Sequence, residues 1–315
     1  MHPLEVNREG DLLTAFDARG GLRWAWLAFG CGWLILGLKV LAYRWTGSVV
    51  VLSDALEGLV NVAAGGFALF AVYLAEQPAD ANHPYGHGKV EFLSAAIEGG
   101  LVLLAALAIA YEAGIDIVRG PEIGALRGGS LLLMASALAN GALGWTLLRA
   151  GRRTDSLALE ADGRHLLTDV VTSVLAVLAL GLVSLTGMTI LDPLLALGAS
   201  VVVARTGIAL LRGAIGGMMD EADPTDLANL ESALERIDEP LVRGHRNLRS
   251  RHQGKVHQVD VELLVDSDLT VGRAAAVARR VAEALHRVLG SASVSCRIEP
   301  FETLGSSGDA SEGGD

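Results

Sequence analysis

Apolar residues gather into six long stretches in the first two-thirds of this chain instead of alternating with polar ones. They cover residues 24–43, 48–75, 92–117, 130–149, 157–185 and 190–211. A helix rising 1.5 Å per residue needs about 20 such residues to cross a hydrocarbon layer about 30 Å thick, and each stretch meets that length. Each ends in a turn or charge signal, among them Thr46-Gly47, Pro78, Gly120-Pro121, Gly128-Gly129, Gly151-Arg152-Arg153 and Thr186-Gly187. The first stretch starts too late and runs too long for a cleaved secretory signal, and no small-residue cleavage site follows it. The pattern predicts six transmembrane helices in a domain spanning 21–220.

Beyond residue 220 the period changes. Asp223-Pro224 reads as a helix start with proline at the first helical position, and Leu227, Leu230, Leu234 and Ile237 follow at helical spacing. Val259, Val261, Leu263 and Val265 alternate with polar residues, the mark of a half-buried strand. A second amphipathic helix is predicted over 268–289, a short strand over 292–298, and a further strand over 241–249 before the Gln253-Gly254 turn. The order is α-β-β-α-β, in a small domain over 221–303. Residues 1–20 are expected to be a flexible segment, and the Gly/Ser/Asp-rich 304–315 a disordered tail.

Basic residues orient the spans. Arg19, Arg23, Lys89, Arg149, Arg152, Arg153 and Arg212 fall on one side, and only Arg44, Arg119 and Arg127 on the other. The positive-inside rule therefore places both termini in the cytoplasm. Composition agrees with a membrane protein: 51% of the 315 residues are hydrophobic and 19% charged, against about 25% charged in soluble chains. A net charge of −11 argues against a nucleic-acid partner. Cys31 and Cys296 lie too far apart in sequence to suggest a disulfide framework or a thiolate metal site.

Ionisable groups inside spans are costly and mark pathways or sites. The second span carries Asp54, Glu57 and Asn61, and the fifth carries His165 and Asp169. Glu57/Asn61 and His165/Asp169 are each four residues apart, so each pair shares a helix face. With both termini inside, the first pair lies about 14–20 Å along its span and the second about 12–18 Å along its own, both near the midplane. Together they offer imidazole, amide and carboxylate ligands without sulfur, a set that suits Zn²⁺, Mn²⁺, Fe²⁺ or Co²⁺. A protonated glutamate and an interhelical amide contact are the plainer reading of each residue alone, and Asp54 is read as structural. In the loop after the second span, Asp80, His83 and His87 fall within eight residues held by Pro84, Gly86 and Gly88. They are read as a second metal site, with a solvated polar loop as the alternative. Glu98, Glu112 and Asp116 are read as facing water near span ends.

Three segments carry a resemblance. The run Ser53-Asp54-Ala55-Leu56-Glu57-Gly58-Leu59-Val60-Asn61, the loop from Gln77-Pro78-Ala79-Asp80 through His83-Pro84-Tyr85-Gly86-His87-Gly88-Lys89, and Asp162-Gly163-Arg164-His165-Leu166-Leu167-Thr168-Asp169 resemble the cation diffusion facilitator family over about residues 24–302. The resemblance implies an α-helical membrane protein with six transmembrane helices, cytoplasmic N- and C-termini and a C-terminal ferredoxin-like α+β cytoplasmic domain. It implies a homodimeric exporter of divalent transition metals, zinc first with Fe²⁺, Mn²⁺, Co²⁺ and Cd²⁺ behind it, using protons as counter-ion. The expected location is the bilayer of a bacterial inner (plasma) membrane.

The family's transport site maps to Glu57, Asn61, His165 and Asp169. Glu57 stands where Asp or His is usual, and Asn61 where Asp is usual. The loop site maps to Asp80, His83 and His87. A cytoplasmic site maps to His245, Glu262 and Glu299, beside Arg297, which cannot ligate; His257 and Asp260 could substitute. Lys89 resembles a lysine that braces the dimer through an aspartate after the sixth span, here Asp220. An enzyme is not expected, because the chain has no His-Glu-x-x-His string. A membrane-anchored metal sensor, which binds without flux, is the alternative function.

Overall fold

The computed structural model of the chain describes residues 8–46, 49–120, 130–237 and 239–301, and it divides into two units between Met219 and Asp220. The first unit is built of six long helices: α1 Arg8–Thr46, α2 Val49–Ala75, α3 Val90–Arg119, α4 Ser130–Thr154, α5 Leu157–Thr186 and α6 Leu191–Met218. All six predicted spans are present. Helix α1 begins at Arg8, inside the segment expected to be flexible, and 304–315 lie outside the described residues.

Stretches of α1, α2, α3 and α6 are long and apolar enough to cross a membrane: Gly20–Leu41, Ala55–Ala75, Val90–Arg119 and Leu191–Met218. Helix α4 closes on Arg149, Arg152 and Arg153, and the first half of α5 carries Glu160, Asp162, Arg164, His165 and Asp169. Asp162, His165 and Thr168 are buried, while Leu34, Leu38, Leu104, Leu107 and Leu138 stand exposed on the outer surface. Apolar outside and polar inside is the arrangement lipid favours.

Glycines let helix backbones touch in two places. A Cβ on Gly99 of α3 would stand 2.9 Å from Leu211 N, and one on Gly207 of α6 would stand 2.9 Å from Leu103 N. A Cβ on Gly163 of α5 would meet Leu148 N at 2.7 Å and Gly144 O at 2.8 Å on α4. Small residues at such seams are how membrane helices gain close packing. The α4–α5 seam falls within two residues of His165, so it fixes the helix that carries the site.

The second unit comprises α7 Pro224–Arg236, β1 Val242–Gln253, β2 Val256–Val265, α8 Val271–Leu289 and β3 Ala292–Pro300. The strands form one sheet in the order β1-β2-β3, with β1 antiparallel and β3 parallel to β2. This is the expected α-β-β-α-β order of a ferredoxin-like domain, with β1 running four residues beyond the predicted strand end at 249. Asp223 caps α7, accepting from Thr225 N at 2.7 Å with Pro224 behind it, as the sequence predicts. Leu230 and Leu234 of α7, Val277, Val281 and Leu285 of α8, and Val259, Val261 and Leu263 of β2 make the core. Both cysteines are free, and burial pushes the Cys296 thiol up to about 11.

Candidate metal-binding sites

The polar positions of α2 and α5 converge. Asn61 Nδ2 donates to Asp169 Oδ2 at 2.9 Å, and His165 Nε2 stands 3.9 Å from Asp169 Oδ1. Three of the four residues picked from spacing therefore share one site. Glu57 lies one turn earlier on α2 with an exposed side chain. Among the described residues, Glu57, His165 and Asp169 do not bring ligand atoms within 4.8 Å of one another. This part of α2 faces outward, since Leu56, Leu59 and Val60 are also exposed.

Two groups at this site escaped the sequence reading. Glu98 does not face water: it is 1% exposed, and its Oε2 accepts from His165 Nδ1 at 2.5 Å. Nearness to a span end suggests exposure, but α3 turns Glu98 inward against α5. A signal was available, because Glu91 and Glu98 are seven residues apart, two helical turns, and so share a face of α3. Glu91 is also 1% exposed, and its Oε2 accepts from Ser156 Oγ at 2.6 Å and from Ala158 N at 3.3 Å. One carboxylate of α3 thus holds the amino-terminal end of α5, where the helix dipole favours negative charge. The other holds its histidine.

The second missed group is Lys39, a cation buried within the first span. Its stem runs along α2 at Gly58, where a Cβ would stand 3.2 Å from Lys39 Cδ. Lys39, Asn61, Asp162 and Asn140 line a cavity of about 30 Å³, enough for an ordered water.

The side chains of Asp80, His83 and His87 lie together in the loop after α2. His83 Nδ1 stands 3.1 Å from Asp80 Oδ1, His87 Nε2 lies 3.1 Å from His83 Nδ1, and His87 Nε2 lies 3.5 Å from Asp80 Oδ2. The backbone builds it: Asp80 Oδ1 accepts from Asn82 N at 2.9 Å and His83 N at 2.6 Å, and Gly86 takes φ 87°. Only glycine adopts that value at little steric cost. The bond from His83 N holds the Asp80 carboxyl below the usual aspartate value.

His245, Glu262 and Glu299 do not gather. His245 pairs with Leu263 across β1–β2, Glu262 pairs with Arg246, and Glu299 pairs with Leu264 on β3. Side chains alternate faces along a strand, so His245 points to the sheet face opposite Glu262 and Glu299. Glu262 is moreover held by Asn247 Nδ2 at 2.8 Å, Arg246 Nε at 3.0 Å and Arg297 Nη1 at 3.5 Å, which keep its carboxyl low. Resemblance could align these positions; strand parity separates them. His257 groups instead with Asp226 and His252. Of the expected dimer-bracing residues, Lys89 Nζ donates to Met218 O at 3.4 Å, and Asp220 Oδ2 accepts from Arg251 Nη1 at 3.0 Å.

Comparison with known proteins covers both units. The cation efflux transmembrane domain matches residues 25–219, and the cation efflux protein cytoplasmic domain matches 222–301. An uncharacterized transporter of Synechocystis sp. is 38% identical over 286 residues, 90% of this chain and 92% of that one. The magnetosome protein MamB of Magnetospirillum gryphiswaldense is 30% identical over 263 residues, 82% of this chain and 85% of its own. Cation-efflux pump FieF of Klebsiella pneumoniae is 28% identical over 274 residues, covering 86% and 89%.

Proposed function

This chain belongs to the cation efflux family of membrane transporters, and we propose that it exports a divalent transition metal, zinc first, in exchange for protons. The observation that carries this reading is the meeting of Asn61, Asp169, His165 and Glu98 between α2, α5 and α3. Metal cation efflux is the family's activity. The choice of metal, the proton coupling and the residues below are the proposal.

Metal from the cytoplasm reaches the midplane, relayed by Asp80, His83 and His87. Asp169, His165 and Asn61 take it up, and Glu57 completes the four as α2 moves against α5. Glu98 accepts a hydrogen bond from His165 Nδ1–H and so leaves Nε2 for the metal. Carboxylate–histidine–metal chains fix ring tautomer and orientation in this way. Ligands must lose their protons to bind, so external protons compete for His165, Asp169 and Glu57 and release the ion. Rocking of the helices then exposes the site alternately to each side.

Asn61 in place of a carboxylate leaves Glu57 and Asp169 as the anionic ligands, which bears on affinity and metal preference. A homodimer braced by Lys89 and Asp220, sited in a bacterial inner membrane, belongs to the same reading.

The test is metal flux into proteoliposomes under an imposed pH gradient, across Zn²⁺, Mn²⁺, Fe²⁺, Co²⁺ and Cd²⁺. Gradient-driven flux of one metal, lost in Asp169→Ala, is the expected result. Binding of every metal without flux would overturn transport and leave the membrane-anchored sensor.

A further inference from the structure

The soluble unit carries a ligand cluster at positions other than those the family resemblance selects. His252 and His257 are cross-strand partners at the end of the β1–β2 hairpin. The hairpin closes through Gly254, at φ 63°, and Lys255. Partners share a sheet face, and this pair lies on the same face as Val259, Val261 and Leu263, where the helices pack. Asp226 is presented to them from the first turn of α7. His252 Nε2 and His257 Nδ1 each lie 3.0 Å from Asp226 Oδ2, and the two rings are 4.2 Å apart. All three side chains are part-buried, at 16%, 33% and 15% exposure for Asp226, His252 and His257.

We propose that Asp226, His252 and His257 bind one divalent transition-metal ion of the zinc class, clipping α7 to the β1–β2 hairpin. Two imidazole nitrogens converge on one carboxylate oxygen from three different elements of the unit. A divalent ion satisfies all three donors at once. Tetrahedral Zn²⁺ with ligand distances of about 2.0–2.2 Å spaces its donors about 3.3 Å apart, so the observed 3.0 Å separations need only a small adjustment. Two imidazoles and a carboxylate leave the fourth position to water. The His₂Asp set contains no sulfur and favours zinc or cobalt over soft monovalent metals. The site stands on its own geometry and does not depend on transport.

The experiment uses the full chain in detergent with the other two sites disabled, as Asp169→Ala/His83→Ala/His87→Ala, titrated with Co²⁺ and followed by visible d–d absorption. One equivalent of tetrahedral Co²⁺ is expected, displaced by Zn²⁺ and lost on adding His252→Gln or His257→Gln. His245→Gln, on the same sheet face but outside the cluster, is expected to keep it. Absence of bound Co²⁺ in the starting variant overturns the proposal, as does a spectrum unchanged by His252→Gln and His257→Gln. Loss on His245→Gln alone also overturns it. Failure of transport in the proteoliposome assay leaves all these outcomes unaltered, so the two readings fail separately.

Discussion

Glu98 of α3 and His165 of α5 are joined by a 2.5 Å contact between Oε2 and Nδ1, and both side chains are buried. Seven residues earlier on α3, Glu91 caps the start of α5. The helix that carries the histidine is thus held at two levels by one neighbouring helix.

Removing the carboxylate should loosen the ring without deleting a ligand. Glu98→Leu is expected to weaken metal binding about 10–100-fold, as loss of a partner behind a metal-bound histidine does. Glu98→Gln keeps an acceptor oxygen and should lose less. Isothermal titration with Zn²⁺ separates them, and wild-type affinity in both variants would remove Glu98 from the site.

Asn61→Asp replaces a donor with a second negative charge 2.9 Å from Asp169 Oδ2. Divalent affinity at neutral pH should rise by roughly one order of magnitude, since ligand charge count tunes affinity. Protons should also compete more strongly, steepening the fall in uptake as pH drops. Flux measured against pH for each metal reads both effects and any change in metal order.

Gly163→Ala places a methyl against the α4 backbone, where the nearest atoms are 2.7 and 2.8 Å away. Forcing the helices apart should cost about 1–3 kcal/mol. Gly100→Ala on α3 meets nothing within 4 Å and should stabilise its helix by about 0.5–1 kcal/mol. Thermal unfolding in detergent should move the two midpoints in opposite directions.

Glu262 and Asp266 both titrate below their ordinary values, held first by the hydrogen bonds of Asn247 and Arg243 respectively. A carboxyl depressed in the folded state stabilises it fully above the unfolded value, about 4. That contribution declines as pH falls below it and is gone beneath the native value. Melts of the wild type from pH 7 to 3 should therefore hold level and then fall. Glu262→Gln should start lower and fall less steeply over the acid arm.

Chain order alone determined where the helices run and which of their residues are out of place in lipid. Span length, turn signals and the four-residue spacing of Glu57/Asn61 and His165/Asp169 are local properties, legible because helix geometry converts sequence distance into height and face. Asp80, His83 and His87 were legible for the same reason: they lie within one turn-rich loop whose backbone brings them together. Glu98 was not, because its burial depends on which face of α3 meets α5, and that is settled by packing. Lys39 escaped likewise, its room made by Gly58 on a different helix. In the soluble unit, His252 and His257 become neighbours only through the hairpin register, and Asp226 joins them only when α7 docks on the sheet. His245 and Glu262 part because a strand sends alternate side chains to opposite faces. Spacing relates residues that share an element, whereas partners on different elements meet only where tertiary packing sets the register and the facing surfaces.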